Sequence, residues 1–142
     1  MKITLRLIAA LVAGCVTAVA IALAGTFTAR ILWPEYAAAE AEKAFTFVML
    51  ASRLTVGVLC TSGAACVTTL IARDDGKAAW WLGGIFLATS LPIHLYRVWA
   101  DYPAWYHLVY LAYLMPIAGL TGRGVHRCRG ASVGCFESSL ET

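Results

Sequence analysis

Charged residues are scarce in this sequence, and their scarcity excludes an ordinary soluble domain. Only 13% of the 142 residues are charged and 61% are hydrophobic, whereas soluble domains carry about 25% charged residues. The eight acidic residues fall in predicted loops, helix ends or the tail, so a transporter driven by a membrane carboxylate lacks its proton carrier. The sequence also has no CxxC pair, HExxH helix or P-loop, the motifs of several enzyme classes. These absences predict a membrane protein that is not an enzyme.

Four long apolar stretches account for the hydrophobic excess. They cover residues 7–29, 44–72, 78–95 and 105–121, which is 17 to 29 residues each, and a helix of that length measures about 25 to 43 Å, enough for a hydrocarbon core of about 30 Å. None alternates apolar with polar residues as barrel strands do, and helices are the other way to satisfy backbone polar groups in lipid. The predicted fold is an all-α polytopic membrane protein, a four-transmembrane-helix bundle with spans at 7–29, 44–72, 78–98 and 103–121.

The distribution of Lys and Arg predicts the orientation of this bundle. Short basic loops stay in the cytoplasm, and four spans leave seven basic residues on one side and three on the other. The seven are Lys2, Arg6, Arg73, Lys77, Arg123, Arg127 and Arg129; the three are Arg30, Lys43 and Arg97. We therefore expect cytoplasmic termini. We attribute the net charge of +3 to basic residues that orient the protein in the membrane, rather than to nucleic-acid binding. Residues 123–142 lack helical periodicity and predict a mobile cytoplasmic tail.

The first span leaves two alternatives open. The string "VAGC" ending at Cys15 resembles a lipoprotein cleavage site, but the chain stays apolar over residues 16–29, which favours an uncleaved span. Small residues recur every fourth position in span one (Ala10, Gly14, Ala18, Ala22, Thr26) and span two (Gly57, Thr61, Ala65, Thr69). Because small residues let membrane helices approach closely, the two stripes predict that these spans pack on each other, with homodimerisation as the competing use.

Arg53 interrupts the second span, and an ionisable residue within a span is a candidate functional residue. The helix from Arg53 to Arg73 rises about 30 Å, which places Arg53 near the outer surface. Pro103 suits the first turn of the next helix, so Asp101 would lie beside a helix N-terminus, where negative charge is favoured. The same measurement of depth predicts an outer-leaflet cluster of Arg53, His94, Arg97, Asp101 and His107.

This cluster has a structural and a functional interpretation. The structural one is an ion pair between Arg53 and Asp101, with Glu40 and Glu42 as other possible partners. The functional one is an anion or substrate site that uses Arg53 and Arg97 together, within the candidate ligand or ion-pair cluster that also contains Asp101. His94, Arg97 and Asp101 also recur at i, i+3 and i+7, which is one helix face if span three continues to Asp101.

His94 and His107 are candidate cofactor-binding residues, because neutral imidazole is a common ligand of metals. A haem held between adjacent helices is the specific alternative. The pair lacks a third ligand or a haem-attachment motif, and His126 with Cys128 and Cys135 matches no zinc pattern. We therefore expect no cofactor and no metal.

The segment "RVWADYPAWYHLVYLAYLMPIAGLTG", residues 97–122, resembles small uncharacterised four-helix bacterial inner-membrane proteins in which a D-Y-P-x-W-Y-H turn opens the last helix. The resemblance implies a bacterial inner membrane and no particular activity. The leading functional hypothesis is a non-enzymatic accessory or structural protein that acts through lipid, protein or homo-oligomer contacts. The alternative is a binding or transport component for a small anion, a quinone-like molecule or haem.

Overall fold

The protein is an all-α bundle of long antiparallel helices. The computed structural model describes the backbone of residues 2–140 and the side chains of residues 4–131. Its helices are α1 (Lys2–Leu32), α2 (Pro34–Glu42), α3 (Phe47–Ala72), α4 (Lys77–Pro92) and α5 (Ala104–Leu140). Four segments are long and apolar enough to cross a membrane: Thr4–Leu32, Phe47–Ala72, Lys77–Arg97 and Ala104–Ala131. The predicted fold class, an all-α chain with four helices long and apolar enough to span a membrane, is confirmed.

The antiparallel order gives the bundle two distinct ends. The loop end carries residues 33–46, which include the short helix α2, and residues 98–103. The termini end carries the start of α1 and the turn between α3 and α4. In that turn the Asp74 carboxylate accepts hydrogen bonds from the backbone N–H of Gly76 and Ala78 at 3.0 and 2.6 Å. Gly76 has a φ of +86°, a left-handed conformation that glycine adopts without steric cost, so the chain reverses tightly here.

Close packing of α1 on α3 depends on a missing side chain. A Cβ atom at Gly14 would lie 2.1 Å from the Thr68 hydroxyl and 3.1 Å from the Ala64 carbonyl oxygen. Thr68 uses that hydroxyl to donate a hydrogen bond to the Ala10 carbonyl oxygen of α1 at 3.2 Å. The two backbones therefore approach as in other membrane helix pairs with small residues at the contact.

The stripe of small residues in span one faces α3, as Gly14 shows. The stripe in span two instead faces α4 and α5. A Cβ at Gly57 would lie 2.1 Å from the Tyr113 hydroxyl of α5. Ala65 belongs to a buried cluster with Ala79 of α4 and Ala118 of α5. The predicted packing of α1 on α3 is confirmed. The face of α3 that was predicted to contact α1 is wrong, because small residues lie on more than one face of this Ala-rich and Thr-rich helix.

Two helix boundaries differ from the prediction. The backbone of α5 is helical from Ala104 to Leu140, whereas the sequence predicted no helix beyond residue 122; residues 141 and 142 of the predicted tail lie outside the described residues. Helix α4 is followed directly by a π-helical turn at Ile93–Arg97 and then by a 3₁₀ turn at Trp99–Asp101. Because the helical repeat changes twice there, His94, Arg97 and Asp101 do not share the regular face that was predicted.

Candidate functional site

A layer of aromatic rings closes the loop end of the bundle. The ring of Phe45 lies 6.2 Å from Tyr36 of α2 and stacks on Tyr102 at 5.4 Å between centroids. Phe47, at the start of α3, packs on Trp105 at 5.4 Å. These contacts of Phe45 and Phe47 join the two loops across the bundle.

Arg53 lies under this aromatic layer, and no ion pair of Arg53 is found among the side chains of residues 4–131. Its guanidinium carbon is 4.9 Å from the centroid of Phe45 and 5.4 Å from that of Tyr102, which is cation–π distance. Its Nη1 atom is buried and has no hydrogen-bond partner among the described residues. The predicted ion pair between Arg53 and Asp101 is wrong, because Lys43 holds the Asp101 carboxylate at 2.7 Å.

The remaining charges of the predicted cluster are dispersed. Glu40, an alternative partner for Arg53, instead accepts a hydrogen bond from Arg30 at 2.7 Å. Arg97 is exposed, and no ion pair of Arg97 is found among the side chains of residues 4–131. Among the described side chains neither Arg97 nor Asp101 forms an ion pair or hydrogen bond with Arg53, which is the cation under the aromatic layer.

A cavity of about 410 Å³ lies beside Arg53, in the half of the bundle nearer the loop end. Helix α3 contributes Arg53 to its wall, α2 contributes Tyr36, and α5 contributes Tyr106 and Tyr110. The wall formed by α1 consists mostly of small residues, namely Ala18, Val19, Ala22, Gly25, Thr26 and Ala29. Such a volume lies within the range of about 300 to 1,000 Å³ typical of small-molecule sites.

Polar groups in the cavity wall differ in what they can still bind. Ser52 and Thr61 donate their hydroxyl protons to backbone carbonyl oxygens of their own helix, at 2.8 and 2.9 Å. Burial raises the pKa of the Tyr36 phenol above its usual value, against a smaller opposing effect of the Arg53 charge. Tyr36 is therefore neutral at physiological pH, so Arg53 provides a positive charge that no phenolate neutralises.

His94 and His107, the candidate cofactor-binding residues, contact each other beside Tyr106 and Tyr110. The Nδ1 atoms of His94 and His107 lie 2.8 Å apart, so one ring donates a hydrogen bond to the other. Trp99 stacks on His107 at 4.9 Å, and Tyr110 stacks on His94 at 4.4 Å. His107 is fully buried, and its Nε2 atom has no partner among the described residues. Tyr110 therefore connects this histidine pair to the cavity wall.

The geometry of the pair does not fit a metal held between the two rings. A metal–imidazole bond measures about 2.0–2.1 Å, so two opposed ligand nitrogens stand about 4 Å apart. At 2.8 Å the Nδ1 atoms of His94 and His107 leave no room for an iron atom. Among the residues that the structure describes, no group of three potential metal ligands is found; His126 instead lies 3.5 Å from Asp75, and Cys135 lies outside the described side chains.

Sequence reasoning missed the cavity wall provided by α1 and α2. From the sequence, the small residues of α1 predict only helix packing, and Tyr36 lies between the first two predicted spans, in a predicted outer loop. The string "GASVG" at residues 130–134 matches the G-x-S-x-G pattern of hydrolases. That pattern needs a strand-to-helix turn, and residues 130–134 lie within α5, so the match carries no catalytic assignment.

Comparisons of the chain with protein-family models, with curated proteins and with solved structures find no match. The resemblance of residues 97–122 to small bacterial inner-membrane proteins therefore stays a prediction. By the length and composition of its four long helices, the chain is an integral membrane protein that crosses the membrane several times. Its function must be argued from the site itself.

Proposed function

We propose that this membrane protein binds a small amphipathic ligand with an anionic head in the cavity beside Arg53. The observation that carries the proposal is the buried Nη1 atom of Arg53, which has no hydrogen-bond partner in the described part of the chain. An unsatisfied buried donor costs about 1–3 kcal/mol, and more when the group is charged. An anion in the adjacent cavity would remove that cost.

The two rings around Arg53 support this role. Phe45 and Tyr102 hold the guanidinium at cation–π distance, which is worth about 0.5–2 kcal/mol and leaves the buried Nη1 donor unused. A guanidinium presents its donors as a planar fork that matches a carboxylate or a phosphate. The rings therefore orient Arg53 without satisfying it. In this proposal the protein is a binding component, with no catalytic residue.

The proposal is tested by mass spectrometry of small molecules that co-purify with the protein in mild detergent. The wild type and Arg97→Ala are expected to carry the same anionic molecule at close to one per chain, because Arg97 lies outside the cavity wall. Arg53→Ala is expected to lose it. A molecule retained by Arg53→Ala, or a ligand-free wild type that no added anionic amphiphile stabilises, would contradict the proposal.

The same samples test the haem alternative. We expect no haem absorption band, because His94 and His107 already bond to each other. A haem band that disappears in His107→Ala would instead assign the pair as axial ligands.

A structural role through protein contacts is the second candidate. The observation that favours it is the continuous apolar face of α1, where exposed side chains recur at helical spacing: Leu5, Ile8, Val12, Val16, Val19, Leu23, Phe27 and Ile31. This face suits a lipid bilayer, a second copy of the chain or another membrane protein. Cross-linking in native membranes would favour this candidate if α1 forms a specific protein contact and the purified chain carries no ligand.

A further inference from the structure

We infer that the ligand is an anionic amphiphile with a single apolar chain, which enters the cavity sideways from the lipid phase. This inference rests on the proposed function, because it assumes that the Arg53 cavity is a binding site. It adds the chemical class of the ligand and its route of entry.

The cavity has its charged group at one end and is mostly apolar along the rest of its length, where the Thr61 hydroxyl is already bonded to its own helix. Arg53, Tyr36 and Tyr106 line the end nearer the loops. Toward the middle of the bundle the wall is formed by side chains such as Ala18, Ala22, Phe86 and Leu114. A ligand that suits both ends has a charged head and a hydrocarbon tail. The buried charge at one end is stabilised by an opposite charge, and the apolar wall at the other is stabilised by contact with hydrocarbon.

The wall of small residues on α1 is long and narrow. It runs from Ala18 to Ala29, which corresponds to about 16 Å along a helix. The groove along α1 is lined by Ala18 and Ala22, which have small side chains, and by Gly25, which has none and is approached closely by Val56 of α3. Its length and its volume of about 410 Å³ suit one extended chain rather than the two chains of a phospholipid.

The groove borders the surface that faces lipid. Val19 lines the cavity and is nevertheless 58% exposed. Helix α1 packs mainly along α3 and has little contact with α4, so the cavity lies where α1 separates from the α4–α5 side of the bundle. A molecule dissolved in the bilayer can therefore reach the groove without crossing water.

Two sources share this chemistry, namely a free fatty acid and a single-chain phospholipid. Both place an anionic oxygen group at the end of one hydrocarbon chain, and a guanidinium binds carboxylate and phosphate alike. The probes below distinguish them.

The experiment measures binding to the full chain in nonionic detergent by thermal shift and native mass spectrometry. The probes are dodecanoate, butyrate, dodecanol, a single-chain lysophosphatidate and a two-chain phosphatidate. We expect dodecanoate or lysophosphatidate to bind, butyrate not to bind, and dodecanol to bind about tenfold more weakly than dodecanoate, the loss expected for one charge-assisted hydrogen bond. Arg53→Ala should abolish the preference for dodecanoate over dodecanol, and Arg97→Ala should keep it.

Variants of α1 test the tail site independently of Arg53. Ala22→Phe fills the groove and should abolish binding of the long-chain probes, with Ala22→Leu as a milder version if the first variant folds poorly. Ala20→Phe is the matched control, because Ala20 is exposed and outside the cavity wall.

Each contrary outcome separates the inference from the proposed function. Butyrate binding as tightly as dodecanoate, or phosphatidate binding more tightly than either single-chain probe, overturns the single-chain inference and leaves the anion site. Equal binding of dodecanol and dodecanoate overturns the role of Arg53. If no probe binds, both the inference and the proposed function are overturned. The tighter binder of dodecanoate and lysophosphatidate identifies the source, and either result supports the inference.

Discussion

Arg53 and the histidine pair illustrate how this protein treats buried polar side chains. Arg53 lies against the stacked rings of Phe45 and Tyr102 and keeps an unused Nη1 donor. His94 and His107 instead share a hydrogen bond through their Nδ1 atoms, between the π-helical turn and α5, and Trp99 stacks on the His107 ring. Only the Nε2 atom of His107 is left without a partner among the described residues. A group without a partner beside a cavity is a candidate for ligand binding, whereas a group bonded to its neighbour and fully packed is a candidate for structure.

At the residue scale, we predict that His107→Ala destabilises the protein by about 2–4 kcal/mol, because it removes a buried ring and a hydrogen bond. His107→Phe should cost less, because it keeps a ring beside Trp99 and removes the unsatisfied Nε2. The measurement is the free energy of unfolding in mixed detergent micelles. His126→Ala is the control and should be within about 0.5 kcal/mol of the wild type, because its contact with Asp75 is exposed. Equal losses in His107→Ala and His126→Ala would contradict the structural role.

Helix packing depends on whether a glycine meets backbone or open space. At Gly14 an added Cβ would meet the Thr68 hydroxyl and the Ala64 carbonyl oxygen of α3. At Gly84, in α4, an added Cβ would have no neighbour within 4 Å. The two positions look alike in the sequence, and they differ in what lies opposite.

At the element scale, we predict that substitution by alanine changes the free energy of unfolding differently at these two glycines. Gly14→Ala should reduce the free energy of unfolding by about 1–3 kcal/mol, because the close approach of α1 and α3 is lost. Gly84→Ala should be neutral or stabilising by up to about 1 kcal/mol, the difference in helix propensity. Unfolding in mixed micelles measures both. A stabilised Gly14→Ala variant would mean that α1 and α3 are not packed at this contact.

For the molecule as a whole, the structure places residues 33–46 at the end opposite the α3–α4 turn, while the side of the membrane that each end faces stays a prediction from basic residues. We predict that the loop end faces outward and the termini end faces the cytoplasm. In a cysteine-free background, Ala38→Cys should react with a membrane-impermeant thiol reagent in intact bacterial cells. Gly124→Cys should react only after the cells are opened. The reverse pattern would invert the topology.

How much of the site could be predicted differs from residue to residue. The proximity of His94 to His107, and of Arg53 to the loop end, followed from helix rise and from the short turn between two spans. The partner of Asp101 did not, because Lys43 approaches it from a loop 58 residues away in sequence. The cavity could not be predicted either, because it depends on how far α1 separates from α4 and α5, and no periodicity in the sequence encodes that distance.

The sequence by itself determined the class of this protein: long apolar runs fix helices of spanning length, and short connections between them fix an antiparallel order. The tertiary structure decided which face of α3 meets α1, which cation Asp101 pairs with, and where a gap remains beside Arg53. The physical reason is that hydrophobicity and helix rise are properties of single segments. Close packing and ion pairing depend on side chains from separate segments, whose relative positions are set only when the helices assemble.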